Sequence, residues 1–171
     1  MRVLHSVSDL PQVPSVYAMY GGKGRGRYVA YVGIGKNLKN RVVQHLVRRD
    51  SSVTTGTSAV QLNPDYVTAV EWWEHPDFAQ RHVLEAAEMV AFDVLDPALR
   101  SRGAPQEKAR ELYADERFRQ EMSSLFEGEP AGRLVLLTLE GALKRVAELE
   151  GRMAELEQEI AVRRAHHKEG S

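Results

Sequence analysis

Val16-Tyr17-Ala18-Met19-Tyr20 and Tyr28-Val29-Ala30-Tyr31-Val32-Gly33-Ile34 flank the run Gly21-Gly22-Lys23-Gly24-Arg25-Gly26-Arg27. Two short stretches rich in β-branched and aromatic residues, joined by a glycine-rich loop, predict an antiparallel hairpin. The glycines also suggest a phosphate cradle, but the Walker pattern is missing and a turn between strands accounts for them more simply. Leu38, Val42, Leu46 and Val47 follow with a helical period, so a helix is expected over 38–47, its opposite side carrying Lys39, Asn40 and Arg48. Within it, Arg41 and His45 lie four residues apart and share one face. A strand–turn–strand–helix unit therefore gathers phenols, a guanidinium and an imidazole, groups suited to holding a phosphate and a water.

Working outward, residues 50–63 are rich in Ser, Thr and Gly and read as a loop. Tyr66 to Trp73 alternates as a third strand. Neighbouring strand residues point to opposite faces, so one of Trp72 and Trp73 is expected in the core and the other at the surface, where stacking on a base is the rarer alternative to rim packing. Pro76-Asp77 opens a helix that runs to about Leu95 and stops before Pro97. The order β-β-α-β-α predicts an α/β fold of the α+β type: a small mixed β-sheet of about three strands flanked by helices. This domain is drawn at residues 1–100. A helical connector is expected over 101–130 and a coiled-coil tail over 131–171.

The tail rests on heptads. Leu139, Val146, Met153 and Ile160 recur every seven residues, with Val135, Ala142, Leu149 and Leu156 at the partner positions. In a parallel homodimer through residues 135–160, Arg145 faces the partner's Glu150 and Arg152 faces the partner's Glu157. Each exposed pair contributes about 0.2–1 kcal/mol, enough to bias orientation but not to drive assembly. The alternative is a helix folded back on its own domain, and Ala142 and Gly151 weaken the seam.

Composition narrows the class further. The 171 residues carry a formal net charge of −1 and no cysteine, which excludes disulfides and thiolate metal sites. The amino terminus has no apolar signal core, and no apolar run approaches the roughly 20 residues that span a bilayer, so a cytoplasmic location is expected. The small net charge hides an asymmetry. Leu10 to Arg49 contains no acidic residue, whereas Lys23, Arg25, Arg27, Lys36, Lys39, Arg41, Arg48 and Arg49 are basic, a field suited to a polyanion such as DNA.

These pieces, in this order, resemble the GIY-YIG nuclease superfamily over residues 14–100. Ser15-Val16-Tyr17 and Tyr31-Val32-Gly33 match its two strand motifs, and Arg41 and His45 match the arginine and following residue of its first helix. The resemblance implies a metal-dependent endonuclease with one Mg²⁺ or Mn²⁺ per site, held by a helix glutamate nine residues before a closing proline. Counting back from Pro97 selects Glu88, with Glu85 one turn earlier as the backup. Ser15 replaces the usual glycine, Ile34 follows the second motif, and Arg100 stands where relatives carry asparagine. The implied roles are Glu88 as metal ligand, Arg41 on the phosphate, and Tyr17 as proton acceptor with Tyr31 and His45 positioning the water. A free phenol titrates near pH 10, so that role requires a neighbouring cation or base. Lys23, Arg25, Arg27, Lys36, Lys39 and Arg48 are the expected DNA contacts. The alternative function is a noncatalytic DNA-binding or scaffold protein that assembles through its tail.

Overall fold

The computed structural model describes residues 1–22, 24–48, 63–99 and 104–136, together with helical residues 142–143, 146–153, 155–158 and 160. The chain divides into two units, Met1–Leu136 and Leu137–Ser171. In the first, five strands form one sheet: β1 (Arg2–Leu4), β2 (Ser15–Gly21), β3 (Tyr28–Gly35), β4 (Val67–Trp73) and β5 (Gly132–Val135), in the order β1-β5-β4-β2-β3. β1 and β5 run parallel, and the other neighbours are antiparallel. The hairpin and third strand are where the pattern placed them; the sheet gains β1 and β5 beyond the three strands expected.

β5 moves two expected boundaries. Gly132–Val135 pairs with β4, so the first unit runs to Leu136 rather than ending near residue 100. Val135, assigned to the first heptad, is a strand residue instead. Leu139 and Arg145 of the expected seam lie outside the described residues. In the second unit, Val146, Leu149, Met153, Leu156 and Ile160 are all exposed.

Among the described residues, the first unit also holds four α-helices: α1 (Leu38–Val43), α2 (Arg81–Leu95), α3 (Glu107–Ala114) and α4 (Glu116–Glu127). The Asn37 side chain caps α1 by accepting the Asn40 N–H at 3.0 Å, and buried Leu38 and Val42 anchor the helix. Beyond Val43 the helix widens into a π turn over Gln44–Arg48. A 3₁₀ turn at Pro76–Ala79 precedes α2, which stops where Asp96 adopts φ 42°, a left-handed conformation that Asp tolerates. The reversal delivers Ala98 and Leu99 to the free edge of β3, where their N–H groups donate to Val29 O at 2.9 Å and Ala30 O at 3.0 Å.

Both faces of the sheet are covered. One packs Val16, Ala18, Val32 and Trp73 against Leu84, Ala87, Ala91, Met122 and Phe126 from α2 and α4. The other packs Tyr17, Met19, Tyr31, Val70 and Trp72 against Leu4, Leu10 and the buried side of α1. Trp72 and Trp73 are consequently both buried, at 1% and 2% exposure, against the expectation that one reaches the surface. An alternating strand keeps a wet face only when one side of its sheet is open. Among the described residues, no helix is long and apolar enough to cross a membrane.

Candidate functional site

β2 and β3 pair so that Tyr17 lies opposite Gly33 and Met19 opposite Tyr31. Tyr17 and Tyr31 are therefore diagonal neighbours on one face, with ring centroids 6.2 Å apart. Gly33 makes the room. A Cβ there would fall 2.7 Å from both the Tyr17 hydroxyl and the Tyr31 ring, closer than real Cβ contacts come. That is a packing reason for glycine where a strand otherwise prefers a side chain.

The turn into α1 swings Arg41 and His45 over the two rings. His45 is buried, its Nε2 is 2.8 Å from the Tyr17 hydroxyl, and its ring centroid is 5.2 Å from that of Tyr31. It sits in the π turn, a widening often found at functional sites. The Arg41 guanidinium lies close enough to both phenols to interact with them electrostatically, and its Nη1 donates to Gln44 Oε1 at 3.2 Å. Glu88 enters from α2, which packs along β3, and its carboxylate acts electrostatically on both phenols. Residues from β2, β3, α1 and the π turn thus meet in one cluster, with Glu88 of α2 within electrostatic reach of its phenols.

Electrostatics divide the cluster into layers. Tyr17 is fully buried, and burial, reinforced by Tyr31 and Glu88, raises its pKa well above 10 despite the opposing pull of Arg41. Burial and then Glu88 also raise Tyr31. Burial alone would lower the Arg41 pKa, but the two phenols outweigh it and keep the guanidinium charged. The inner layer is therefore neutral phenol against imidazole. Half-buried Arg41 and partly exposed Glu88 form the outer layer. Tyr17 was expected to be readied as a proton acceptor by a nearby cation; burial overrides that cation and holds the phenol protonated.

Glu85, the backup ligand, is committed elsewhere. Its Oε1 accepts from Arg81 Nε at 2.6 Å and its Oε2 from the Gln106 N–H at 3.0 Å, tying the start of α3 to α2. Burial pushes its carboxyl up, yet these donors hold it below the ordinary value. Among the described residues no three His, Asp or Glu side chains cluster as a metal cage. A lone carboxylate fails the donor requirement of zinc, which takes three or four protein ligands. It fits Mg²⁺ or Mn²⁺, because such ions keep several waters and share one or two carboxylates with substrate phosphate.

The expected DNA contacts scatter. Arg25, Lys36 and Arg48 are exposed, and Lys23 lies outside the described residues. Lys39 Nζ donates to Ser8 O at 2.6 Å, fastening the amino-terminal arm. Arg27 is on the other face of the sheet. It stacks 3.8 Å over the Tyr20 ring and donates to Glu71 Oε1 at 2.7 Å, which Arg133 Nε also approaches at 2.6 Å. Sequence spacing missed this triad and the Arg41–Gln44 contact. Gln44 had a signal, since it lies three residues after Arg41 on a helix, but Arg133 comes from a strand that was not foreseen.

The chain matches no model of a known protein family, and no curated protein matches it.

Proposed function

We propose that this chain is a metal-dependent endonuclease that hydrolyses DNA phosphodiester bonds with a GIY-YIG-type site. One observation supports the reading: Tyr17, Tyr31, Arg41 and His45 gather around neutral phenols and a charged guanidinium, and Glu88 acts electrostatically on both phenols. Glu88 is the residue that would hold Mg²⁺ or Mn²⁺. When bound, the ion supplies charge stabilisation for the leaving oxygen. Arg41 presents a permanent cation to the phosphate oxygens. Tyr31, at 4% exposure, is the more accessible phenol, whereas Tyr17 is sealed at 0%. The attacking water passes its proton to Tyr31 as Tyr31 passes its own to Tyr17 and Tyr17 gives its proton to His45 Nε2. That relay keeps each phenol neutral, which their raised pKa values demand.

Nicking of supercoiled plasmid by the full chain with Mg²⁺ or Mn²⁺ tests this. Arg41→Ala and Glu88→Ala are expected to lower the rate by about 10²–10³, the scale of removing one preorganised charge from a transition state. Absence of nicking by the wild type on plasmid, single-stranded and branched DNA sinks the reading, and equal nicking by all three proteins assigns the activity to a contaminant.

The complete burial of Tyr17 favours a second reading, a noncatalytic DNA-binding protein that retains the cluster as packing. Retained DNA binding without nicking selects it. We further propose that the exposed Val146, Leu149, Met153, Leu156 and Ile160 pair with a second copy, placing two sites in one assembly. Sedimentation of Leu149→Asp/Leu156→Asp as a monomer, against a dimeric wild type, is the expected result.

A further inference from the structure

A cavity of about 210 Å³ opens on the sheet face that carries Tyr17 and Tyr31. Its floor is Gly21, Ala30 and Val67, and two exposed tyrosines, Tyr28 at 50% and Tyr66 at 69%, stand at its walls. Neither phenol belongs to the cluster around Arg41. Tyr28 lies down on Gly21: a Cβ at that position would be 2.6 Å from the Tyr28 ring, so only glycine leaves the ring this shelf. Tyr66 is carried on a 3₁₀ turn capped by Asn63, whose Oδ1 accepts the Asp65 N–H at 3.0 Å. With Oδ1 so engaged, the Asn63 amide turns its Nδ2 donors to the remaining surroundings.

The cavity and the cluster are physically joined. Leu99 lines the cavity and bridges to Tyr31, and Tyr28 precedes Tyr31 by three residues on β3, a separation of about 10 Å along a strand. Size selects the occupant. An apolar cavity of about 150 Å³ holds a benzene ring, whereas drug-sized ligands need about 300 Å³ or more. A volume between these, with aromatic walls and a polar amide, suits one planar heterocycle.

We propose that this cavity binds a nucleobase, stacked on Tyr28 and Tyr66, of the nucleotide next to the phosphate held at Arg41; the polynucleotide part of this rests on the nuclease reading. A base enters only when unpaired, so the bound strand is single or has that base extruded from the stack.

The test uses the full chain with labelled Ala, Val and Leu methyls, titrated with thymidine and deoxyadenosine 5′-monophosphates. Ring-current shifts are expected at Ala30, Val67 and Leu99 with both nucleotides, and not with inorganic phosphate or deoxyribose 5-phosphate. Tyr28→Ala/Tyr66→Ala is expected to lose about tenfold or more in affinity, the scale of a lost base stack, while Tyr28→Phe/Tyr66→Phe retains binding. Oligothymidylate shifting the same methyls at lower concentration marks the polynucleotide as the source; equal concentrations mark the free nucleotide. No shift at millimolar nucleotide, or equal shifts with the sugar phosphate, overturns the proposal. If the plasmid stays intact yet the methyls shift, the nuclease reading fails and the base site stands. Nicking without methyl shifts gives the reverse.

Discussion

The two faces of the sheet carry the same kinds of residue in opposite states. On one, Tyr20, Arg27, Arg133 and Glu71 meet; on the other, Tyr17, Tyr31, Arg41 and His45, with Glu88 of α2 acting on the two phenols electrostatically. Glu71 touches both of its arginines directly, at 2.7 and 2.6 Å. Burial alone would raise its carboxyl, but hydrogen bonds from Tyr20, Arg27 and Arg133 hold it below the usual range. Across the sheet, Arg41 is engaged by neutral phenols, and Glu88 pushes those phenols up. The first cluster spends its charges on one another and secures Arg27, at the entry to β3, and Arg133 of β5 to β4. In the second, the Arg41 cation lies against neutral phenols rather than a carboxylate that neutralises it in a short ion pair, an arrangement that a phosphate can complete. Residue type alone would not separate a strut from a site; what each charge faces does.

The sharpest break of that comparison is to remove one carboxylate from each face. Glu88→Ala should slow nicking by about 10²–10³ with little change in the urea midpoint. Glu71→Ala should leave nicking by the folded fraction intact and cost about 2 kcal/mol. That is below the roughly 3–5 kcal/mol of a fully buried pair, because both arginine side chains keep 34% exposure. The reverse pattern would exchange the roles of the two clusters. Next in size is Gly33→Ala, whose new methyl forces the Tyr17 and Tyr31 rings apart. About 1–3 kcal/mol of overpacking is expected, together with a loss of nicking, read by denaturation and plasmid assay.

The two faces should also answer pH from opposite ends. Tyr17 and Tyr31 have raised pKa values, so their contribution is complete below pH 10 and fades as pH climbs through their folded values. Glu71 is depressed, so its contribution is present above pH 4.5 and is lost as pH falls. Glu71→Gln should flatten the acid limb of a stability–pH curve, and Tyr17→Phe the alkaline limb. The smallest effect is reserved for Glu85→Gln. It weakens the tether to Arg81 and Gln106 by about 1 kcal/mol and leaves nicking unchanged, which separates Glu85 from Glu88 one turn away.

Local patterning made β2, β3, β4 and α2 readable, because each is long enough for its apolar period to repeat. β1 and β5, with three and four residues, are too short for any period. Gly132–Val135 also abuts a heptad run, so a helical reading absorbed Val135. The burial of both tryptophans followed from the same omission, since it takes a β5 neighbour and covers on both faces to close around β4. Ordered spacing brought Tyr17, Tyr31, Arg41 and His45 to notice, and the family resemblance added Glu88. It could not reveal that Tyr17 is sealed, that Glu85 caps a helix, or that Arg27 turns to the far face. Those depend on partners far away in sequence.

The pairing of Arg2 with Gly132 has a consequence for biosynthesis. The sheet joins β1 to a strand made about 130 residues later, a long-range pairing that forms late. Until Gly132–Val135 emerge, the edge of β4 beside Trp72 has no strand to cover it, and β1 has no strand to join. A nascent chain stalled before residue 132 would expose that edge to other chains, a template for misassembly that the finished protein closes with four residues.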